Sequence, residues 1–201
     1  MPRTIARVLL IAVASTLVPG GDLSGPLTPS KSKFSGEIAT KIMGPDSLMV
    51  KKEHGTCVSV PQTNLKWGCS LDVADKISCF NRHYAEHSGY FLQTTFLSTV
   101  TTAMPAGGEM TFYDSVTGKP LFVAPRGRTF AAFVAESRAH GWPSFRDEEV
   151  VTANVRLLSN GETVSVDGTH LGHNLPDSKG NRYCINLVCI AGHPTTGKSD
   201  L

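Results

Sequence analysis

Cys184 sits in the stretch GTHLGHNLPDSKGNRYCINLVCIAG, residues 168–192, two positions after Arg182 and downstream of His170 and His173. Thiol, imidazole and guanidinium together suit sulfur chemistry. The thiolate is the reactive form of cysteine, a neighbouring cation favours it, and a histidine can carry the proton. RYCINLVCI is rich in Ile, Val and Tyr and reads as a strand, which would put Arg182, Cys184 and Asn186 on one face. The residues alone leave four fates open for Cys184: buried filler, half of a disulfide, metal ligand or nucleophile. As a metal site, His170, His173 and Cys184 would give zinc three protein ligands and an open water position. Against that, no carboxylate stands at a helical general-base spacing beside the histidines, and the chain has no C-x-x-C pair.

Five cysteines, at 57, 69, 79, 184 and 189, leave at least one unpaired unless another chain takes part. On a continuous strand Cys184 and Cys189 would lie about 16 Å apart on opposite faces, too far for a disulfide. Cys57, Cys69 and Cys79 can supply one structural disulfide and leave a third thiol free.

The elements that must position these residues can be read coarsely. DVADKISCFNRHYAEH predicts a helix from Asp72 to His87, with Asp72 as its cap, Val73, Ile77, Phe80 and Tyr84 on one helical face, and Gly89 beyond its end. MTFYDSVTGKPLFVAP predicts two strands around a turn, and TFAAFVAESRAHG a short helix with Phe130, Phe133 and Val134 inward and Gly141 as its stop. VVTANVRLL, ETVSV and RYCINLVCI, separated by turn-forming stretches, make the second half mostly antiparallel β. HLGH suits a strand end or a turn as well as a helix.

The chain has 201 residues, 40% of them hydrophobic and 18% charged, and a formal net charge of +2. That is enough to bury one core. With no block of like charge it carries no electrostatic footprint for nucleic acid. MPRTIARVLLIAVASTLVPGG has the layout of a secretory signal over residues 1–21: two arginines, an apolar run from Val8 to Val18, then small residues. The run falls short of the roughly 20 residues of a membrane-spanning helix, so no stable membrane insertion is expected. The expected location is secreted or lumenal, with an organelle transit peptide as the alternative. Residues 22–35 read as a flexible linker, 36–109 as a partly helical amino-terminal extension, and 196–201 as a tail.

Three motifs in order, HGWPSF (His140 to Phe145), THLGHNLPD (Thr169 to Asp177) and RYCIN (Arg182 to Asn186), together with DSVTGKPLF (Asp114 to Phe122), make the chain similar to the B-type methionine sulfoxide reductases. The resemblance runs from about Met110 to Ala191, within a domain placed at 110–195. It implies a mainly β fold of two twisted antiparallel sheets with short peripheral helices. It also implies thiol-dependent reduction of methionine-R-sulfoxide, free or protein-bound. Cys184 would be the nucleophile, left as a sulfenic acid, with His170 and His173 binding and protonating the sulfoxide oxygen. Asn186 would act as a polar orienter, and Trp142 would pack on the substrate methyl. Phe145, Arg182 and Glu162 complete the implied substrate-binding set. No cofactor is implied beyond thioredoxin or another thiol as external reductant, and a monomer is expected.

Three departures qualify the resemblance. Where many members hold structural zinc through two C-x-x-C pairs, this chain has Asp114, Thr117, Val164 and Asp167, so a zinc-free variant is expected. The usual recycling cysteine before GWPSF is missing, which turns attention to the thiol left over among Cys57, Cys69 and Cys79. The family's RTEV stretch is degraded: Glu162 supplies its acid only across a one-residue deletion, and its arginine has no match. Two other readings therefore stand: an inactive module of the same fold that binds methionine-containing peptides, and a small extracellular domain with purely structural cysteines.

Overall fold

The computed structural model describes residues 36–103 and 108–195. The expected leader, linker and tail lie outside the described residues. The architecture is mainly β, with two antiparallel sheets. A hairpin pairs β1 (Met110–Tyr113) with β2 (Pro120–Ala124). Five short strands, β3 (Ser144–Phe145), β4 (Val155–Leu157), β5 (Glu162–Ser165), β6 (His170–Asn174) and β7 (Tyr183–Ile185), form the second sheet in the order β3-β7-β6-β5-β4. Around them lie short helices: α1 (Glu37–Lys41), α2 (Leu71–Asp75), α3 (Phe96–Ala103) and α4 (Phe130–His140). Among the described residues no helix is long and apolar enough to cross a membrane.

The hairpin turn is built by Asp114, whose Oδ1 accepts from the Val116 backbone N–H at 2.8 Å while its main chain bonds both ways with Lys119 and Gly118. Helix α4 begins at Thr129, whose hydroxyl accepts from the Ala132 N–H, and ends at Gly141 in the left-handed conformation, φ 86°. A side chain at Gly141 would also strike Ser88, whose Oγ lies 2.0 Å from the position of an added Cβ. Glycine is thus required here twice over. It brings the 88–89 segment against the start of the sheet, where the Gly89 N–H donates to the Gly141 carbonyl at 2.8 Å.

One aromatic cluster fills the centre. Phe145 stacks on Phe122 at 4.3 Å between ring centroids and meets Phe112 edge-on at 5.0 Å; Phe112 in turn packs against Phe96 and Trp67. Ala39, Ile42, Trp67, Phe91, Phe96 and Val100 all belong to the core that holds Phe112, Leu171 and Tyr183. Residues 36–103 thus supply part of the core around the sheet. Cys57 and Cys79 form a disulfide within this segment.

Two expected elements are shorter than their patterns suggested. The helix from Asp72 is capped by Ser70, which accepts from the Val73 N–H at 3.3 Å, and gives way after Asp75 to a π-turn over Lys76–Phe80. Phe80 and Tyr84, expected on one helical face with Val73 and Ile77, are 57% and 59% exposed. The chain leaves the helix because Glu86 must reach inward: its carboxylate accepts from the Leu187 and Val188 N–H groups at 2.8 and 3.1 Å. The same contact ends the second element. The strand through Cys184 stops at Ile185, and Leu187–Cys189 form a 3-10 turn whose free N–H groups take the Glu86 carboxylate as their cap.

Two outcomes follow from the shared core. A fragment of residues 108–195 alone will show no cooperative urea transition, because Trp67, Phe91 and Phe96 are missing from its aromatic core; a sharp transition would restore the extension reading. Phe145→Ala will lose about 3–5 kcal/mol of unfolding free energy in urea denaturation monitored by circular dichroism.

Candidate active site

Strand β7 divides its residues between two environments. Tyr183 and Ile185 are fully buried in the core. Cys184, by the period-two alternation of a strand, points the other way, with Asn186 on its side. Antiparallel register then assembles a site: β6 places His173 opposite Cys184, and β3 places Ser144 opposite it on the other flank. Directly paired positions on one face bring side chains into contact range. Gly172 makes the close pairing possible, since a Cβ there would stand 2.1 Å from the Cys184 carbonyl oxygen.

These residues line a cavity of about 300 Å³ whose wall includes Trp142, His170, His173, Cys184 and Asn186, with His83 and Tyr84 from the segment after the π-turn. A larger cavity of about 590 Å³ opens elsewhere. Its arginines 128 and 146 are already paired with Glu136, and among the described residues its lining includes no cysteine. The reactive groups converge on the smaller one.

The electrostatics are organised around Glu162, which is 2% exposed. Burial works against its charge, but hydrogen bonds from His170 and Arg82 outweigh burial and hold its pKa down to about 2. Glu162 Oε1 lies 2.8 Å from His170 Nδ1, and the Arg82 Nε and Nη2 donate to both carboxylate oxygens at 2.5–3.1 Å. An ionised carboxylate only accepts, so Nδ1 of His170 carries its hydrogen and the other ring nitrogen is left for the cavity.

Cys184 is half-buried, and its Sγ accepts from Arg182 Nη1 at 3.3 Å. Burial pushes its thiol above the usual value, against the lowering influence of Arg182 and the Ser144 hydroxyl. His173 is pushed below the usual imidazole value, by burial first and then by His170, with Glu162 pulling the other way. At neutral pH the cross-strand pair is therefore a neutral thiol beside a neutral imidazole.

The other expected residues fall as follows. Trp142 lines the cavity and donates its indole N–H to the Glu86 carbonyl at 3.0 Å. Asn186 lines it too, but its amide is committed: Oδ1 accepts from the Glu86 N–H and Nδ2 donates to the Leu171 carbonyl. Arg182 reaches Cys184 while its Nε approaches Asp177 Oδ2 at 3.4 Å. Phe145, expected to touch substrate, is 0% exposed and stacked in the aromatic core; its strand neighbour Ser144 is the residue that faces Cys184. Cys69, the thiol left by the Cys57–Cys79 disulfide, is buried, lies outside the cavity lining and is pushed up to about 12 by burial and then by Glu86.

Arg82, His83 and Glu86 were not anticipated from sequence. Their signal was present but weak: the run NRHYAEH, residues 81–87, places a cation and an acid where an amphipathic helix should continue, and polar residues there interrupt the apolar periodicity.

Comparison with known proteins is limited. The chain is similar to a peptide methionine sulfoxide reductase MsrB of Pseudomonas entomophila (strain L48), 42% identical over 60 residues, covering 25% of this chain and 46% of that protein. The chain thus spans about half the length of the curated relative it matches. No family model matches the chain, and no solved structure matches it. Over the matched part, the protein is methionine sulfoxide reductase B-like in sequence.

Proposed function

We propose that the protein reduces methionine-R-sulfoxide to methionine, with Cys184 as nucleophile. The observation that carries this reading is the convergence, in one cavity, of the Cys184 thiol with the Arg182 guanidinium at 3.3 Å, the cross-strand His173 and the carboxylate-anchored His170. The partial similarity to a methionine sulfoxide reductase supports the same chemistry.

The balance of the reaction is simple: one thiol and one sulfoxide give one sulfenic acid and one thioether, with no net proton change. The sulfur–sulfur bond forms as the thiol proton leaves; the protonated sulfoxide oxygen departs as water, and water then cleaves that bond at Cys184, releasing methionine, leaving the sulfenic acid and returning the proton spent on departure. His173, neutral beside a neutral thiol, is placed to take the first proton and return it to the oxygen. Such acid–base help contributes about 10²–10⁴-fold. His170, fixed through Nδ1, offers its second nitrogen to the oxygen. The indole of Trp142 supplies the apolar wall for a methyl group.

The residues at the family's zinc positions do not fit that ion. Asp114 is fully buried and accepts from the Thr169 hydroxyl at 2.9 Å, and Val164 is an apolar core residue. Lys119 pairs with Asp167 at 2.9 Å. Polar contacts tie together the same two turns. With Cys69 buried, the sulfenic acid is resolved by an external thiol, thioredoxin or a smaller one. The remaining expectations, a monomer acting in a secreted or lumenal setting on free or protein-bound substrate, go with this reading.

One observation favours the second reading, a peptide-binding module: the resting Cys184 thiol is raised, not lowered. A single-turnover assay on the fully reduced protein, with dithiothreitol removed before substrate is added, separates the two. We expect about one equivalent of methionine from the R epimer and none from the S epimer, lost in Cys184→Ser and kept in Cys189→Ser and Cys69→Ser. Loss in Cys189→Ser but not in Cys184→Ser would overturn the assignment. No methionine from either epimer, with the thiols shown reduced, would favour the binding module. Alkylation of Cys184 by iodoacetamide should reach half its maximal rate above the ordinary cysteine value of about 8.5. In Arg182→Met, which removes the stabilising cation, that midpoint should move higher still. A downward move would show that Arg182 does not act on the thiol.

A further inference from the structure

Away from the cavity, His54, Asp75 and Cys79 bring a ring nitrogen, a carboxylate oxygen and a sulfur within 4.8 Å of one another, and Cys57 is bonded to Cys79. In sequence the four residues form two short pairs, His54-x2-Cys57 and Asp75-x3-Cys79. We propose that, when the Cys57–Cys79 disulfide is reduced, these four side chains form a tetrahedral zinc site, so that one clip is held by a disulfide in the oxidised chain and by zinc in the reduced one. The inference rests on no part of the activity proposed above.

The donor set is chemically suited to the ion. Zinc takes cysteine sulfur at about 2.3 Å and histidine nitrogen or carboxylate oxygen at about 2.0–2.2 Å, four in all in a structural site. Two thiolates, one imidazole and one carboxylate complete that number with no water required. The imidazole and carboxylate are already aimed at each other, His54 Nε2 lying 2.5 Å from Asp75 Oδ1, so an ion entering between them replaces a contact that exists. Phe80 packs edge-on against the His54 ring at 4.7 Å between centroids and fixes its plane.

The backbone holds the site together without the disulfide. His54 and Cys57 face each other across a tight turn closed by two hydrogen bonds, Cys57 N–H to the His54 carbonyl at 2.9 Å and His54 N–H to the Cys57 carbonyl at 3.1 Å. The second limb is docked by the Thr56 N–H, which donates to the Cys79 carbonyl at 2.8 Å. Reduction therefore frees two sulfurs to rotate about their side-chain bonds while the limbs stay in place. Both cysteines are buried, at 0% and 1% exposure, whereas the side chains of His54 and Asp75 are 24% and 36% exposed and give the ion an entry path.

The balance is closed by a dithiol reductant. It delivers two electrons and two protons to the disulfide and is itself oxidised to a disulfide; zinc then displaces both thiol protons on binding. An oxidant that rejoins Cys57 and Cys79 expels the ion.

The test uses the full chain, zinc chloride and, as a spectroscopic substitute, cobalt chloride. The chain reduced by a phosphine and kept free of oxygen should take up one equivalent of zinc, the disulfide form none. The cobalt-loaded chain should show the sulfur-to-metal charge-transfer and visible bands of a tetrahedral thiolate site. His54→Gln and Asp75→Asn, which keep every thiol, should each weaken zinc at least tenfold in competition with a chromophoric chelator, and Cys184→Ser should bind as the parent does. Because an unfolded reduced chain would hold zinc through thiols alone, equal affinity in His54→Gln, Asp75→Asn and the parent would overturn the proposal. So would the absence of uptake by the reduced chain.

Discussion

A carboxylate that is 2% exposed needs compensation, and Glu162 obtains it from two directions. His170 belongs to the neighbouring strand, eight residues on; Arg82 comes from a segment eighty residues earlier. An ionised carboxylate left alone in the interior would cost several kcal/mol, and removing one partner of such a set typically costs about 3–5 kcal/mol. This constraint draws the chain between Asn81 and His87 down onto the sheet. Once there, the segment lays its backbone against the site: Glu86 accepts from the Trp142 indole through its carbonyl, donates to Asn186 through its N–H and caps the 187–189 turn through its carboxylate. The walls of the cavity, the orientation of Trp142 and the rigidity of Asn186 all depend on a charge that never touches the thiol.

The sheet provides the other half of the geometry by register alone. Three strands meet at Cys184, with His173 on one side and Ser144 on the other. A one-residue slip would turn every one of these groups to the opposite face. The bulge between Thr163 and Val164 shifts the β5 pairing by one residue, so that Glu162 faces His173 while Val164 faces His170. Across this bulge Glu162 bonds the imidazole of His170, while His173 stands opposite Cys184 on the other flank of its strand. Two histidines three residues apart thus have different partners on either side of one irregularity.

Much of this was legible in the sequence wherever the signal is local. The hairpin around Asp114 and the helix ending at Gly141 follow from turn residues, caps and periodicity, which act over a few positions. The order of HGWPSF, THLGHNLPD and RYCIN marked the residues that the sheet later gathers. What was not legible depends on distant partners. The helix after Asp72 carried a convincing apolar period, yet Glu86 seeks the N–H groups of residues 187 and 188, and that pull breaks the helix. Phe145 sits within a chemically suggestive motif, but strand alternation turns it into the core and its neighbour Ser144 toward the thiol. Arg82 stands where no motif looks for an arginine, because space, not sequence order, decides which cation meets a buried acid.

The resting thiol of Cys184 is raised, which taken alone opposes its use as a nucleophile. The cause is burial, with Arg182 and Ser144 only partly offsetting it. Burial also selects what reaches the sulfur. A protonated thiol in a cavity of about 300 Å³ resists small oxidants, which react with the thiolate. Under the proposed function, a sulfoxide in this cavity would bring its own polarised oxygen toward His173 and His170, which line it. The proton that holds the thiol inactive would, under the same proposal, be the proton that the oxygen requires, and its transfer would activate nucleophile and leaving group together. A permanently ionised cysteine would give up that coupling. The opposite shifts of Cys184 and His173 have one cause, burial, which disfavours the charged form of each.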